Sequence, residues 1–292
     1  MTQKFKAVEP EVIPLSKPKI IVSGKAGVGK TFGAIDWPKC YFIDTEGGAT
    51  LPHYTEKLQK AGAVYFGKEQ GSQDFKVVIA EIKALATTPH EYKTLVIDSF
   101  SKLYNIARSE AEETGGSDFG RDKKEANKPT RQMMLWLERV DMNVILICHA
   151  TDKWSRVGKD VVYAGTTFDG DPKQEYSLDL WLEIILEAGK RSAIVRKSRY
   201  QTFPQDSVFE WTYKSFASRI EGGEKFLEKK AATVDLITPE QLTSIKRLLE
   251  IVKIEDNWED KVIAKAGVTE WTEMPRELAQ KCLDFLSKKL EK

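Results

Sequence analysis

KIIVSGKAGVGKT, residues 19–31, is the stretch that decides the fold. Its apolar run from Ile20 to Val22 reads as a short buried strand. The strand runs into a loop of small residues, Gly24-Lys25-Ala26-Gly27-Val28-Gly29, and closes on Lys30-Thr31. This is the G-x-x-x-x-G-K-[ST] pattern of a phosphate-binding loop. A triphosphate leaves no room for Cβ atoms, so glycines let backbone N–H groups curl around its oxygens. The loop opens a helix whose N-terminal dipole also favours anions. Lys30 is placed to reach the β- and γ-phosphates, and the Thr31 hydroxyl to ligate Mg²⁺. The four fixed positions match by chance in about one chain in a hundred. A plain glycine turn between strand and helix is the alternative, and the flanking strand and helix signals weigh against it.

With 292 residues, 41% hydrophobic and 30% charged, the chain has the composition of an ordinary soluble globular protein of one large domain, or a large and a small one. No apolar run approaches the roughly 20 residues that cross a bilayer, and residues 1–19 have no signal-peptide core. No membrane association is therefore expected. Cys40, Cys148 and Cys282 are scattered, two of them in apolar runs, and read as buried thiols of a reducing, cytoplasmic setting. The net charge of +1 offers no global field for nucleic acid, so any such binding needs a local patch.

Three further strands are expected to end near the phosphate loop. Cys40-Tyr41-Phe42-Ile43 leads into Asp44-Thr45-Glu46-Gly47-Gly48. In open α/β sheets ligands sit beyond the carboxyl ends of strands, so Glu46 is a candidate to polarise the water that attacks the γ-phosphate; the alternative is a solvated turn acid. Thr94 to Ile97 is a second apolar strand, tipped by Asp98, the expected Mg²⁺ residue, with Ser99 beside it. Val144 to Cys148 is the third, and it delivers His149, which reads either as a γ-phosphate sensor or as a structural histidine.

Between these strands, residues 73–86 place Phe75, Val78, Ile79, Ile82 and Leu85 on one face of a covering helix. A helix is expected over 101–113, a polar surface loop over 115–128, and another helix from Pro129 to Val140. Residues 151–177 form a long polar segment carrying Lys153, Trp154, Arg156, Lys159 and Tyr163. Cations interleaved with aromatics suit single-stranded nucleic acid, charge for phosphates and rings for bases. An exposed hairpin around Gly158 with merely solvated charges is the competing reading. Strands follow over 178–186 and 192–195, the second leading into Arg196-Lys197-Ser198-Arg199, and then over 208–211.

The domain boundaries read from this pattern are an arm over 1–18, an α/β domain over 19–220, a linker over 221–236 and a small helical bundle over 237–292. Pro10, Pro14 and Pro18 make the arm extended, either packed on a neighbouring subunit or frayed. In the bundle Thr238-Pro239-Glu240-Gln241 is a helix start with a capping box, a middle helix around Trp258 and Val262 stops at Gly267, and a last helix follows Pro275.

Together GKAGVGKT, FIDTEGG, VIDS, ILICHATDK and RKSR, in that order over residues 18–215, resemble the RecA-like P-loop ATPases. More narrowly the chain resembles the compact phage-encoded members that act in single-strand annealing and recombination. The resemblance implies a mostly parallel central sheet flanked by helices, with the helical bundle appended. It also implies ATP and Mg²⁺ as cofactors and Glu46 as hydrolytic base. His149 would contact the γ-phosphate, as in the RadA-type branch, whose Gly-His-Val-Thr-Lys is close to Cys148 to Lys153. Lys197 and Arg199 would act across a subunit interface, and the 153–163 segment would contact single-stranded DNA. A homo-oligomer in the host cytoplasm, ring or filament, follows from the same likeness, with a single-strand-binding protein or another replication protein as a further partner. The chain departs from the RadA type in having neither its four-cysteine zinc module nor its lon-like tail. Two other readings stand beside this one: a nucleotide-gated adaptor acting through the helical tail, and a P-loop kinase of a small metabolite.

Overall fold

The computed structural model describes residues 9–10, 14–115, 121–171 and 173–290. Most of the arm expected over 1–18 lies outside them. An eight-stranded sheet forms the centre, in the order β10-β9-β8-β1-β5-β4-β2-β3. Its strands are β1 (Lys19–Ser23), β2 (Cys40–Asp44), β3 (Val64–Phe66), β4 (Thr94–Asp98), β5 (Asn143–Ile147), β8 (Leu180–Glu187), β9 (Lys190–Ser198) and β10 (Val208–Glu210). The six strands from β3 to β8 pair in parallel, and β9 is antiparallel to both β8 and β10. The missing pair, β6 (Ala150–Val157) and β7 (Asp160–Phe168), makes a separate two-stranded antiparallel ribbon.

Both faces of the central strands β1, β2, β4 and β5 are buried, which explains their unbroken apolar runs. Alternate residues feed opposite layers. Ile21, Leu95, Ile97, Val144 and Leu146 pack under α3 (Phe75–Thr87), α4 (Phe100–Gly115) and α5 (Arg121–Arg139). Ile20, Val22, Val96, Ile145 and Ile147 pack with α1 (Lys30–Ala34), α2 (Pro52–Lys60) and α7 (Tyr213–Ala217). Among the described residues no helix is long and apolar enough to cross a membrane.

Several expectations are corrected. The polar loop read over 115–128 is largely helix: α5 begins at Arg121 and continues through Pro129, which therefore does not start it. Arg-Asp-Lys-Lys-Glu-Ala consists mainly of residues that fit a helix but carries no apolar stripe to reveal one. The supposed linker 221–236 holds α8 (Gly223–Leu227), whose Leu227 is fully buried. Beyond it the chain stays attached, with Val234 N–H donating to the Ala86 carbonyl at 2.8 Å.

The three tail helices are α9 (Pro239–Ile251), α10 (Trp258–Ala266) and α11 (Arg276–Leu290). Thr238 caps α9 with Gln241 in a reciprocal box, and Gly267 ends α10 in the left-handed region. They do not bury one another alone. Ile245, Met274, Ala279 and Leu286 join the same core as α3 and α5. Trp136 Nε1 donates to the Gly267 carbonyl at 2.9 Å, and Lys83 pairs with Glu273 at 2.8 Å.

At the amino end of β1, buried Lys19 donates from Nζ to the carbonyls of Val140 and Met142 at 2.6 and 2.7 Å. Lys19→Met leaves both acceptors unpaired, an expected loss of about 2–4 kcal/mol. Burial lowers the Lys19 ammonium from 10.5 to about 7. Across that interval the unfolded chain holds a proton the folded chain has released, so this residue's contribution raises stability as pH rises. Thermal melts of both proteins at about pH 7 and about pH 9 check the loss and the missing slope.

Candidate functional site

The sheet register sets the site. Val22 lies level with Ile147, Ile147 with Asp98, and Asp98 with Asp44, so the four central strands end at one edge. There a cleft of about 510 Å³ is lined by Gly24, Lys25, Ala26, Gly27, Lys30 and Thr31 of the loop, with Glu46, Asp98 and His149 opposite. The four side chains expected to converge, at 30, 46, 98 and 149, do so.

Lys30 Nζ donates to the Gly24 and Lys25 carbonyls, both at 2.9 Å, and partial burial lowers its ammonium from the usual range. Thr31 Oγ1 donates to Asp98 Oδ2 at 2.5 Å. Loss of water around Asp98 pushes its carboxyl up to about 6, against the Thr31 hydrogen bond that favours the ionised form. A hydroxyl and a carboxylate oxygen in contact are the hard donor set that suits Mg²⁺, and Lys30 sits next to it to meet phosphate. The residues present therefore fit Mg–ATP.

Glu46 Oε1 is held twice: it accepts from Ser99 Oγ at 2.6 Å and lies 2.7 Å from His149 Nε2. His149 is itself fixed by its main chain, its N–H donating to Ser101 Oγ at 3.0 Å and its carbonyl accepting from Asp169 N–H at 2.9 Å. Asp169 directly follows the ribbon, so the two ends of β6–β7 are tied together beside the site. Of the two readings of the 151–177 segment, the structure shows the hairpin, turned by Gly158-Lys159 and followed by the short helix α6 (Gln174–Ser177).

On the hairpin Trp154 pairs with Tyr163 and Arg156 with Val161, which places Trp154, Arg156 and Tyr163 on one face. Trp154 and Tyr163 meet edge to face at 5.7 Å and are more than half exposed. Lys153 falls at a bulge, and Lys159 at the turn.

Lys197 and Arg199 lie elsewhere. Because β9 runs antiparallel, Ser198 is level with Leu180, which is level with Ile20 at the amino end of β1. They sit at the opposite edge of the sheet from the cleft and cannot reach the pocket of their own chain. Lys197 Nζ donates to the Leu178 carbonyl, and Arg199 pairs with Asp179 at 3.3 Å and donates to the Tyr176 carbonyl.

Two residues without a motif border the loop. A Cβ on Gly29 would come within 2.2 Å of Arg191 Nε, and one on Gly33 within 2.1 Å of Trp211 Nε1. These glycines, one capping α1 and one inside it, leave room for both side chains. Arg191 also lies 4.7 Å over the Phe32 ring. Phe32, Gly33, Arg191 and Trp211 line a second cleft of about 680 Å³. No sequence motif marks Arg191, and Trp211 reads only as the end of the strand expected over 208–211.

The AAA domain family matches residues 16–210. Comparison with curated proteins gives no match. Among solved structures, the crystal structure of the RadB recombinase is 19% identical at a TM-score of 0.40, covering 66% of this chain and 86% of that one. An ATPase from the type III secretion system of pathogenic bacteria is 13% identical at a TM-score of 0.36, covering 94% of this chain and 81% of that one. With the phosphate loop, the level strand tips and a family match over most of its length, the chain belongs to the AAA domain family and is a P-loop ATPase built on a mostly parallel central sheet.

Proposed function

We propose that this protein hydrolyses Mg–ATP and binds single-stranded DNA, acting in recombination or annealing of phage DNA as an oligomer in the host cytoplasm. Lys30 and the loop amides would hold the phosphates, Thr31 and Asp98 the Mg²⁺, which would neutralise charge on the phosphate oxygens. Glu46 would take the proton of the attacking water, and His149 would respond to the γ-phosphate. Phe32 and Arg191, which line the second cleft beside the loop, would meet the base.

One observation carries the DNA reading: an exposed ribbon bearing Trp154, Arg156 and Tyr163 on one face starts at Ala150, next to the histidine that contacts Glu46. Bases stack on such rings at about 1–3 kcal/mol each. Phosphate release with and without single-stranded DNA tests the proposal. Stimulation is expected, and Trp154→Ala with Tyr163→Ala should weaken DNA binding by at least tenfold while leaving Mg–ATP affinity unchanged. No stimulation and no binding at low salt overturns it.

The adaptor reading draws on the outward apolar side chains Ile251, Phe285 and Leu290 of the tail, which would meet a single-strand-binding or other replication protein. Lys197 and Arg199, at the edge remote from their own cleft, would act only on a neighbouring copy.

A further inference from the structure

We propose that Asp44 is a positioning residue for hydrolysis, its buried carboxylate shaping the 45–49 turn so that Glu46 faces the phosphate loop. The inference rests on the reading of Glu46 as the hydrolytic base. Asp44 ends β2 and is 2% exposed. Its Oδ1 accepts from the N–H groups of Glu46 and Gly47 at 3.0 and 2.6 Å, and its Oδ2 from Ala49 N–H at 2.9 Å and the Tyr65 hydroxyl at 3.0 Å. Among the described residues no cation pairs with it. A buried carboxylate satisfied only by one turn and one phenol is organised to hold that turn.

The turn is fastened again from β4. Thr45 N–H donates to the Asp98 carbonyl at 2.7 Å, and Thr45 Oγ1 exchanges hydrogen bonds with the Ser99 main chain at 2.9 and 3.0 Å. The Glu46 backbone is thereby locked to the strand that carries the Mg²⁺ residue. Ser99 and His149 both take Oε1, which leaves Oε2 to accept a proton. Asp44 fixes where that oxygen stands.

Asp44→Asn is nearly isosteric, but whichever way the amide turns its NH₂ opposes N–H or O–H donors. A base displaced by about 1 Å can cost a hundredfold in rate. The expected result is kcat lower by about ten- to a hundredfold, with the Kd for Mg–ATP within about threefold of wild type, since Lys30 and Thr31 are untouched. In a Glu46→Gln background the same substitution should give no further loss, because its effect passes through Glu46. Tyr65→Phe keeps the carboxylate, removes one donor and should show the same split at about two- to fivefold; it decides the matter if Asp44→Asn does not fold.

Wild-type kcat in Asp44→Asn, a parallel loss of Mg–ATP binding, or an equal further loss in the Glu46→Gln background overturns the proposal. Wild-type turnover in Glu46→Gln alone removes instead the underlying assignment of the base.

Discussion

Replacing Lys30 by alanine is expected to abolish nucleotide binding. The ammonium is held at the loop mouth by two carbonyls of the loop itself, an arrangement that keeps a partly desolvated charge ready for an anion. Phosphate oxygens would replace those carbonyls with two charge-assisted bonds, each worth about 1.5–3 kcal/mol. Their loss weakens affinity by about two to four powers of ten, beyond the range of ordinary titration. Calorimetry with Mg–ATP reads the result directly. Binding within tenfold of wild type would show that the loop amides suffice and that Lys30 is not the phosphate clamp.

Glu46→Gln should behave in the opposite way, keeping Mg–ATP binding and losing about a hundredfold or more of turnover. The amide retains an oxygen to receive Ser99 Oγ, so the turn and its neighbours have little reason to move. What disappears is a carboxylate able to accept the water's proton. Single-turnover phosphate release, measured beside equilibrium binding, separates the two effects. A variant with wild-type turnover would remove Glu46 from the reaction, and the Glu46–His149 contact would then be structural.

Both substitutions concern residues that were legible in the sequence, for a physical reason. Lys30 stands in the phosphate-loop motif that follows β1 and Glu46 just past the polar tip of β2, and a parallel sheet brings such strand ends to one edge. The same logic found Asp98 and His149. Lys197 and Arg199 were read as acting on a neighbouring subunit, and the reversal at β9, which a strand-end motif does not report, is what sets them at the far edge from their own cleft. The pattern missed the start of α5, where no apolar stripe marks the helix, and left β6–β7 open between a binding loop and an exposed hairpin, because most of the ribbon meets water and its alternation has no buried side to record. Asp44, Arg191 and Trp211 had no assigned role in the site. Their roles arise from backbone amides and glycine surfaces met only after folding.

The two opposite edges of the sheet have a consequence for how copies could join. An assembly setting the Lys197–Arg199 side of one subunit against the cleft of the next joins unlike surfaces, so no two-fold axis passes through the contact and every link points the same way. Closed, such an arrangement is a ring in which each cleft is completed. Left open, it is a polymer with two different tips, one showing an uncapped cleft and the other unused cations, and its growth is polar.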